Sequence, residues 1–288
     1  MNPKRMFQAL VLTVAIALPA SASEVPGSAV GESDVSTSLE HGYRLMYGLD
    51  FASAGRVFLN WRAEHPRDPL APMSQAANLL FSELDRSGIL QAQFFVDDAS
   101  FTSNGPPAPT AGVRARFDAA AADAEAVARA RLVDDPRDRD ALFALTMVFG
   151  LRADFAALIE GRSMAALSFT RQATRVARTL LDVAPDYADA YLATGISQYI
   201  VGSLVAPLRW VLRLAGFEGD RRKGMQELRL TAERGRFLGP FARILLTIAY
   251  LREHDTVRAR ELLTGLQRDF PSNPLFAREL QRIGGATD

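Results

Sequence analysis

Apolar side chains recur at three- and four-residue spacing over most of the chain, and the runs are cut by proline or a capping acid. Leu39, Tyr43, Met46 and Tyr47 share one face of a helix. Asp50 is placed to cap the next helix, whose Ala54, Val57, Phe58 and Trp61 form a second stripe. That helix breaks at His65-Pro66-Arg67-Asp68, where a stop signal adjoins a start signal and Asp68 is available to cap a third helix. The same punctuation returns at Asp135-Pro136-Arg137-Asp138, Ala184-Pro185-Asp186-Tyr187 and Phe270-Pro271-Ser272-Asn273. No segment alternates with the two-residue period of a half-buried strand. The expected fold class is all-α.

Two stretches depart from this rhythm. Ser103-Asn104-Gly105-Pro106-Pro107-Ala108-Pro109 cannot be helix interior, so residues 96–110 are expected as a surface loop. The Ala-rich run 113–134 behind it is expected as one long helix, with Thr110 a candidate cap. Residues 192–208 carry no charge, and their length reaches the lower limit of roughly 17 residues for a bilayer span. Gly195, Ser197, Gln198, Gly202 and Pro207 dilute the run, which predicts a buried helix kinked or ended near Gly202-Ser203. If exposed instead, it would be a patch for a membrane or an apolar ligand.

At the start of the chain, Lys4 and Arg5 precede a short apolar run at 9–18 and the small-residue site Pro19-Ala20-Ser21-Ala22. A signal peptide over 1–22 is expected, then a flexible leader over 23–36. The chain has no cysteine, so lipid anchoring lacks its attachment atom, and disulfides and thiol chemistry are excluded. The expected location is the periplasm or the outside of the cell. The charge balance is even, 33 basic against 33 acidic residues, and provides no global field for nucleic acid or an anionic membrane.

Four triplets carry a small residue, an alanine and a proline at twelve-residue intervals: Gly42–Ala54–Pro66, Gly112–Ala124–Pro136, Gly161–Ala173–Pro185 and Thr247–Ala259–Pro271. The first unit also has Phe58 after Ala54, with Leu45 where a Tyr is preferred. The last has Leu246, Thr247 and Tyr250 before Ala259 and Leu263. On these positions the chain resembles the tetratricopeptide-repeat superfamily. The unit ending at Pro185 carries Ala177 at a large-residue position, and the one ending at Pro136 would run its first helix through the Pro-rich loop. The alanine anchors are irregularly spaced, unlike a regular 34-residue array. The resemblance implies a right-handed α-solenoid of antiparallel helix pairs over 37–288, with irregular, lengthened or inserted helices.

It also implies a groove lined by each unit's first helix, at Ser36, Leu39, Tyr43 and Met46 in the first unit, suited to a peptide or helix partner. The matching positions of the last unit are Phe241, Ile244, Ile248 and Leu251, too apolar for an open groove and expected to be covered by another helix. Arg171, Arg175 and Arg178 line one helix face, readable as a basic docking face for an acidic partner or anionic lipid, or as a solvated surface. Asp220, within Gly216–Gly224, is expected as a helix cap, since no Gly-Lys-Ser/Thr is present after it for phosphate binding.

His41, His65 and His254 do not share a metal-ligand spacing. Asp97-Asp98 and Asp134-Asp135 lack an apolar cage, and no nucleophile elbow is present. No cofactor is called for. The expectation is a non-enzymatic scaffold for protein–protein interaction in the cell envelope. The alternative is a helical carrier of a lipid-like or apolar ligand lined by residues 192–214, or a membrane-peripheral envelope protein.

Overall fold

The computed structural model describes residues 38–90, 109–214 and 217–284. The expected signal peptide, the leader with Ser36, most of the 96–110 loop and Asp97-Asp98 lie outside the described residues. The described chain is all-α, with twelve α-helices and no strand. These are α1 (Leu39–Tyr47), α2 (Phe51–Glu64), α3 (Leu70–Arg86), α4 (Val113–Asp134), α5 (Arg139–Asp154), α6 (Ser163–Val183), α7 (Tyr191–Ser203), α8 (Ala206–Leu214), α9 (Arg221–Arg234), α10 (Gly239–Arg252), α11 (Thr256–Asp269) and α12 (Pro274–Gly284).

The capping acids do as their positions suggest. Asp50 accepts from the Ser53 amide at 2.9 Å, Asp138 from Ala141 at 3.0 Å and Asp220 from Lys223 at 3.0 Å. Asp68 accepts from the Leu70 amide at 2.9 Å and from the Trp61 indole at 2.7 Å, tying the end of α2 to the start of α3. Thr110 does not cap α4. Its amide and hydroxyl both donate to buried Glu83, at 2.9 and 2.7 Å, while Gly112 enters the helix in the left-handed region at φ 74°.

Consecutive helices pack as pairs: α1 on α2, α3 on α4, α5 on α6, α7 on α9 and α10 on α11. The anchor alanines Ala54, Ala124, Ala173 and Ala259 are all buried, at 4% exposure or less, so small side chains set the close approach. The glycines of the motif divide into two kinds. Gly42 sits inside α1, where a methyl group would lie 2.8 Å from Cζ of Phe58 on α2. Gly112 and Gly161 instead lie in left-handed turns, with open space around them. The reason is helix length. In the 14-residue α2 and α11, twelve residues back from the alanine crosses the turn into the partner helix. In the 22-residue α4 and 21-residue α6, the same count reaches only the turn.

The 192–208 run resolves into α7, which ends at Ser203 as expected, and the separate short helix α8. α7 packs directly on α9, with α8 looped out between them. Four glycines make that contact. A methyl group at Gly219 would lie 2.6 Å from the Gly202 amide nitrogen, and one at Gly224 would lie 2.8 Å from the Gly195 carbonyl oxygen. One helical stretch, Arg139–Ile159, is long and apolar enough to cross a membrane; 72% of its apolar window is buried in the core.

The first described helix, α1, meets residues from the last third of the chain. The Tyr47 hydroxyl donates to the Phe237 carbonyl at 3.0 Å, and Asn273 donates to the Tyr47 carbonyl at 2.9 Å. Arg236 pairs with Glu40 at 2.5 Å, and the Tyr43 and Phe237 rings lie 5.0 Å apart. Phe241 and Phe81 form an edge-to-face pair at 5.7 Å, so the apolar face of α10 is covered by α3 and α1. Covering of Phe241, Ile244, Ile248 and Leu251 was expected; the first three are buried and Leu251 is partly so, and the source of the cover, the opposite end of the described array, was not foreseen.

Candidate functional site: an apolar cavity inside the helical array

A cavity of ≈ 130 Å³ opens where the array turns back on itself. Its floor is α7, whose Leu192, Ile196 and Ile200 recur every four residues and so share one face. α1 contributes Tyr43 and Met46, and α10 contributes Phe241. α5 and α6 close the remaining sides through Gly150, Asp154, Leu167 and Thr170. Of the expected 192–214 lining, the described side chains that take part come from α7; none of the described side chains of α8 lines the cavity.

The polar groups on the wall are mostly committed. The hydroxyls of Thr146, Thr170 and Thr174 donate to the carbonyls of Leu142, Ala166 and Thr170, at 2.9 to 3.0 Å. Asp189 accepts the amides of Arg236, Phe237 and Leu238. Burial pushes its pKa up, and those amides pull it part of the way back.

Asp154 is different. It stands where α5 passes into a π-helical turn, Phe155–Ile159, a local distortion common at functional sites. It has neither an ion pair nor a side-chain hydrogen bond among the described residues, and it lines the cavity, partly buried. Desolvation alone pushes that carboxyl well above the usual range. The arrangement is an apolar chamber with one uncommitted acid, held neutral over a wider pH range than a surface aspartate.

That geometry has a measurable consequence for stability. A carboxyl whose folded pKa is raised binds its proton more tightly in the fold than in the unfolded chain. Stability therefore falls as pH rises from the ordinary carboxylate value through the raised one. Asp85, half-buried with one oxygen lacking a partner, adds the same trend, its pKa being pushed up to about 6. The Asp154→Asn variant should lose less stability than the native chain as pH rises above the ordinary carboxylate range. Urea unfolding at several pH values checks this; parallel curves for the two proteins would contradict the burial of Asp154.

The sequence-predicted groups fall in two separate places. Leu39, Tyr43 and Met46 are buried, at 2, 3 and 4% exposure, so they do not form an open groove. The physical cause is the return of the 235–238 loop onto α1, which turns a concave ledge into an inner wall. Tyr43 accepts from the Ser74 hydroxyl at 3.3 Å and, with Met46, faces the cavity. Arg171, Arg175 and Arg178 are exposed on the outer side of α6, with Arg178 paired to Glu218 at 2.7 Å. Sequence reasoning missed Asp154 and Asp189. A lone acid within Ala153-Asp154-Phe155-Ala156-Ala157-Leu158-Ile159 was the available signal for the first.

Fold and site together define an all-helical, repeat-like array folded back around an apolar cavity. Compared with known proteins, the chain matches no family model and no curated protein.

Proposed function

We propose that this chain is a degenerate tetratricopeptide-like array that carries an apolar, lipid-like ligand, without catalysis, in the cell envelope. The observation that carries the reading is the cavity: overwhelmingly apolar walls, an opening to solvent and a single uncommitted acid. Its volume is close to that of an engineered cavity of roughly 150 Å³ that binds benzene. It therefore takes one ring or the end of a hydrocarbon chain. The rest of a longer amphiphile stays at the mouth. Protonated Asp154 would donate to an ester, carboxyl or hydroxyl oxygen of such a ligand. A peptide scaffold would need a binding surface elsewhere, because Leu39, Tyr43 and Met46 are walled in.

Gly150 provides the test. It lies on the cavity wall in α5, and a methyl group there would meet nothing within 4 Å. Gly150→Leu should fill the chamber while gaining about 1 kcal/mol in helix propensity. A fluorescent long-chain fatty acid should bind the native chain and bind the variant at least tenfold more weakly, with no loss of thermal stability. Native mass spectrometry of protein from its own host should show a co-purifying lipid that the variant lacks. Equal probe binding by both proteins, or by neither, would defeat the carrier reading.

A further inference from the structure

We propose that α8, with the first turns of α6, docks onto an anionic bilayer surface. Leu212 of α8 is buried, and its cluster contains Leu167, Val201 and Phe217, all three of which also line the cavity. The opposite face of α8 has no partner among the described residues. Trp210 is 63% exposed and Leu214 71%, one helical turn apart, with Val205 at 62% just before the helix. Met164, 72% exposed, stands one turn from Leu167 at the start of α6. These are four of the seven large apolar side chains exposed among the described residues, gathered where α6 and α8 meet.

Charge identifies the occupant. The whole chain is balanced, yet residues 161–181 and 190–217, the two segments that meet at Leu167 and Leu212, contain no Asp or Glu. Arg171 and Arg175 continue the stripe of Leu167 along α6, Arg178 beyond them is paired with Glu218 just outside these segments, and Arg213 is exposed beside Leu214. A short amphipathic helix presenting Trp and Leu, flanked by arginines and free of acids, has the chemistry of an interfacial helix on anionic lipid. Docked there, the part of the cavity wall made by Leu167 and Phe217 lies close to the acyl chains. The ligand's route rests on the carrier reading; the docking itself does not.

Flotation of the full chain with vesicles separates the two. Vesicles containing phosphatidylglycerol should carry the protein up the gradient, and pure phosphatidylcholine vesicles should carry at least tenfold less. Trp210→Glu combined with Leu214→Glu should abolish flotation while keeping the helical circular dichroism and fatty-acid binding. Replacing Arg171, Arg175 and Arg178 by Gln should weaken flotation and flatten its salt dependence. Gly150→Leu should float like the native chain. The proposal is overturned if the glutamate variant floats normally, or if both lipid compositions bind equally. It is also overturned if nothing floats and the same substitutions instead split a dimer in sedimentation.

Discussion

Replacing Gly224 with alanine should destabilise the protein by roughly 2–4 kcal/mol, against the ordinary gain from putting alanine in a helix. The added methyl group would lie 2.8 Å from the Gly195 carbonyl oxygen and from Cα of Tyr199, and closer still to the Tyr199 amide nitrogen. All of these are backbone atoms inside α7, so no rotamer change relieves the clash and the helices must separate. Gly219 and Gly202 hold the same seam: a methyl group at Gly202 would lie 2.8 Å from the Asp220 carbonyl carbon. For a chain of this size the loss corresponds to a fall in melting temperature of roughly 4–16 °C. Gly150→Ala is the matched control, since its methyl group would meet open space, and it should be neutral or slightly stabilising. Thermal unfolding of the two variants side by side decides the matter. An unchanged melting temperature for Gly224→Ala would show that α7 and α9 do not touch through their backbones.

That contact marks how far sequence reasoning reached. Asp220 caps α9 as its position suggests, because an N-cap is a local device read from a few neighbouring residues. The glycines around it were legible only as turn formers, because the partner helix at Gly195 and Gly202 lies some twenty residues upstream. The repeat motif behaved similarly. Its two end units keep Gly42 or Thr247 inside the first helix, whereas the long α4 and α6 slide Gly112 and Gly161 into turns. The apolar period remained visible throughout, and with it the all-helical fold.

The cavity was less legible. The α7 stripe at 192–200 could be read as pocket lining, since its period-four face is local. The roles of Tyr43 and Met46 could not, because they depend on Phe237 approaching from nearly two hundred residues away. Long-range closure converts the same side chains from groove to wall without altering their periodicity.

Asp189 holds that closure, and its loss should be felt across the whole array. It is 3% exposed and sits just past the turn at the end of α6. Its oxygens accept the amides of Arg236 at 2.9 Å, Phe237 at 3.2 Å and Leu238 at 2.8 Å. No helix or strand bonds these amides, so the carboxylate is their partner. Asp189→Ala strands them, at about 1–3 kcal/mol for each buried donor left unmade. Relief of the cost of burying the carboxylate, visible in its raised pKa, offsets part of this. A net loss of roughly 3 kcal/mol, or 6–12 °C in melting temperature, is expected. Asp189→Asn should recover only part of it, because its amide group presents a donor where an acceptor is needed. The damage should be directional. Phe237, 1% exposed between the rings of Tyr43 and Phe143, would loosen first, and with it the Tyr47 bond to the Phe237 carbonyl. Hydrogen exchange should therefore accelerate at 236–238 and in α1 more than in the α3–α4 pair. Uniform acceleration would mean that the array closes by general packing, and unchanged protection at 236–238 would mean that Asp189 does not hold the loop.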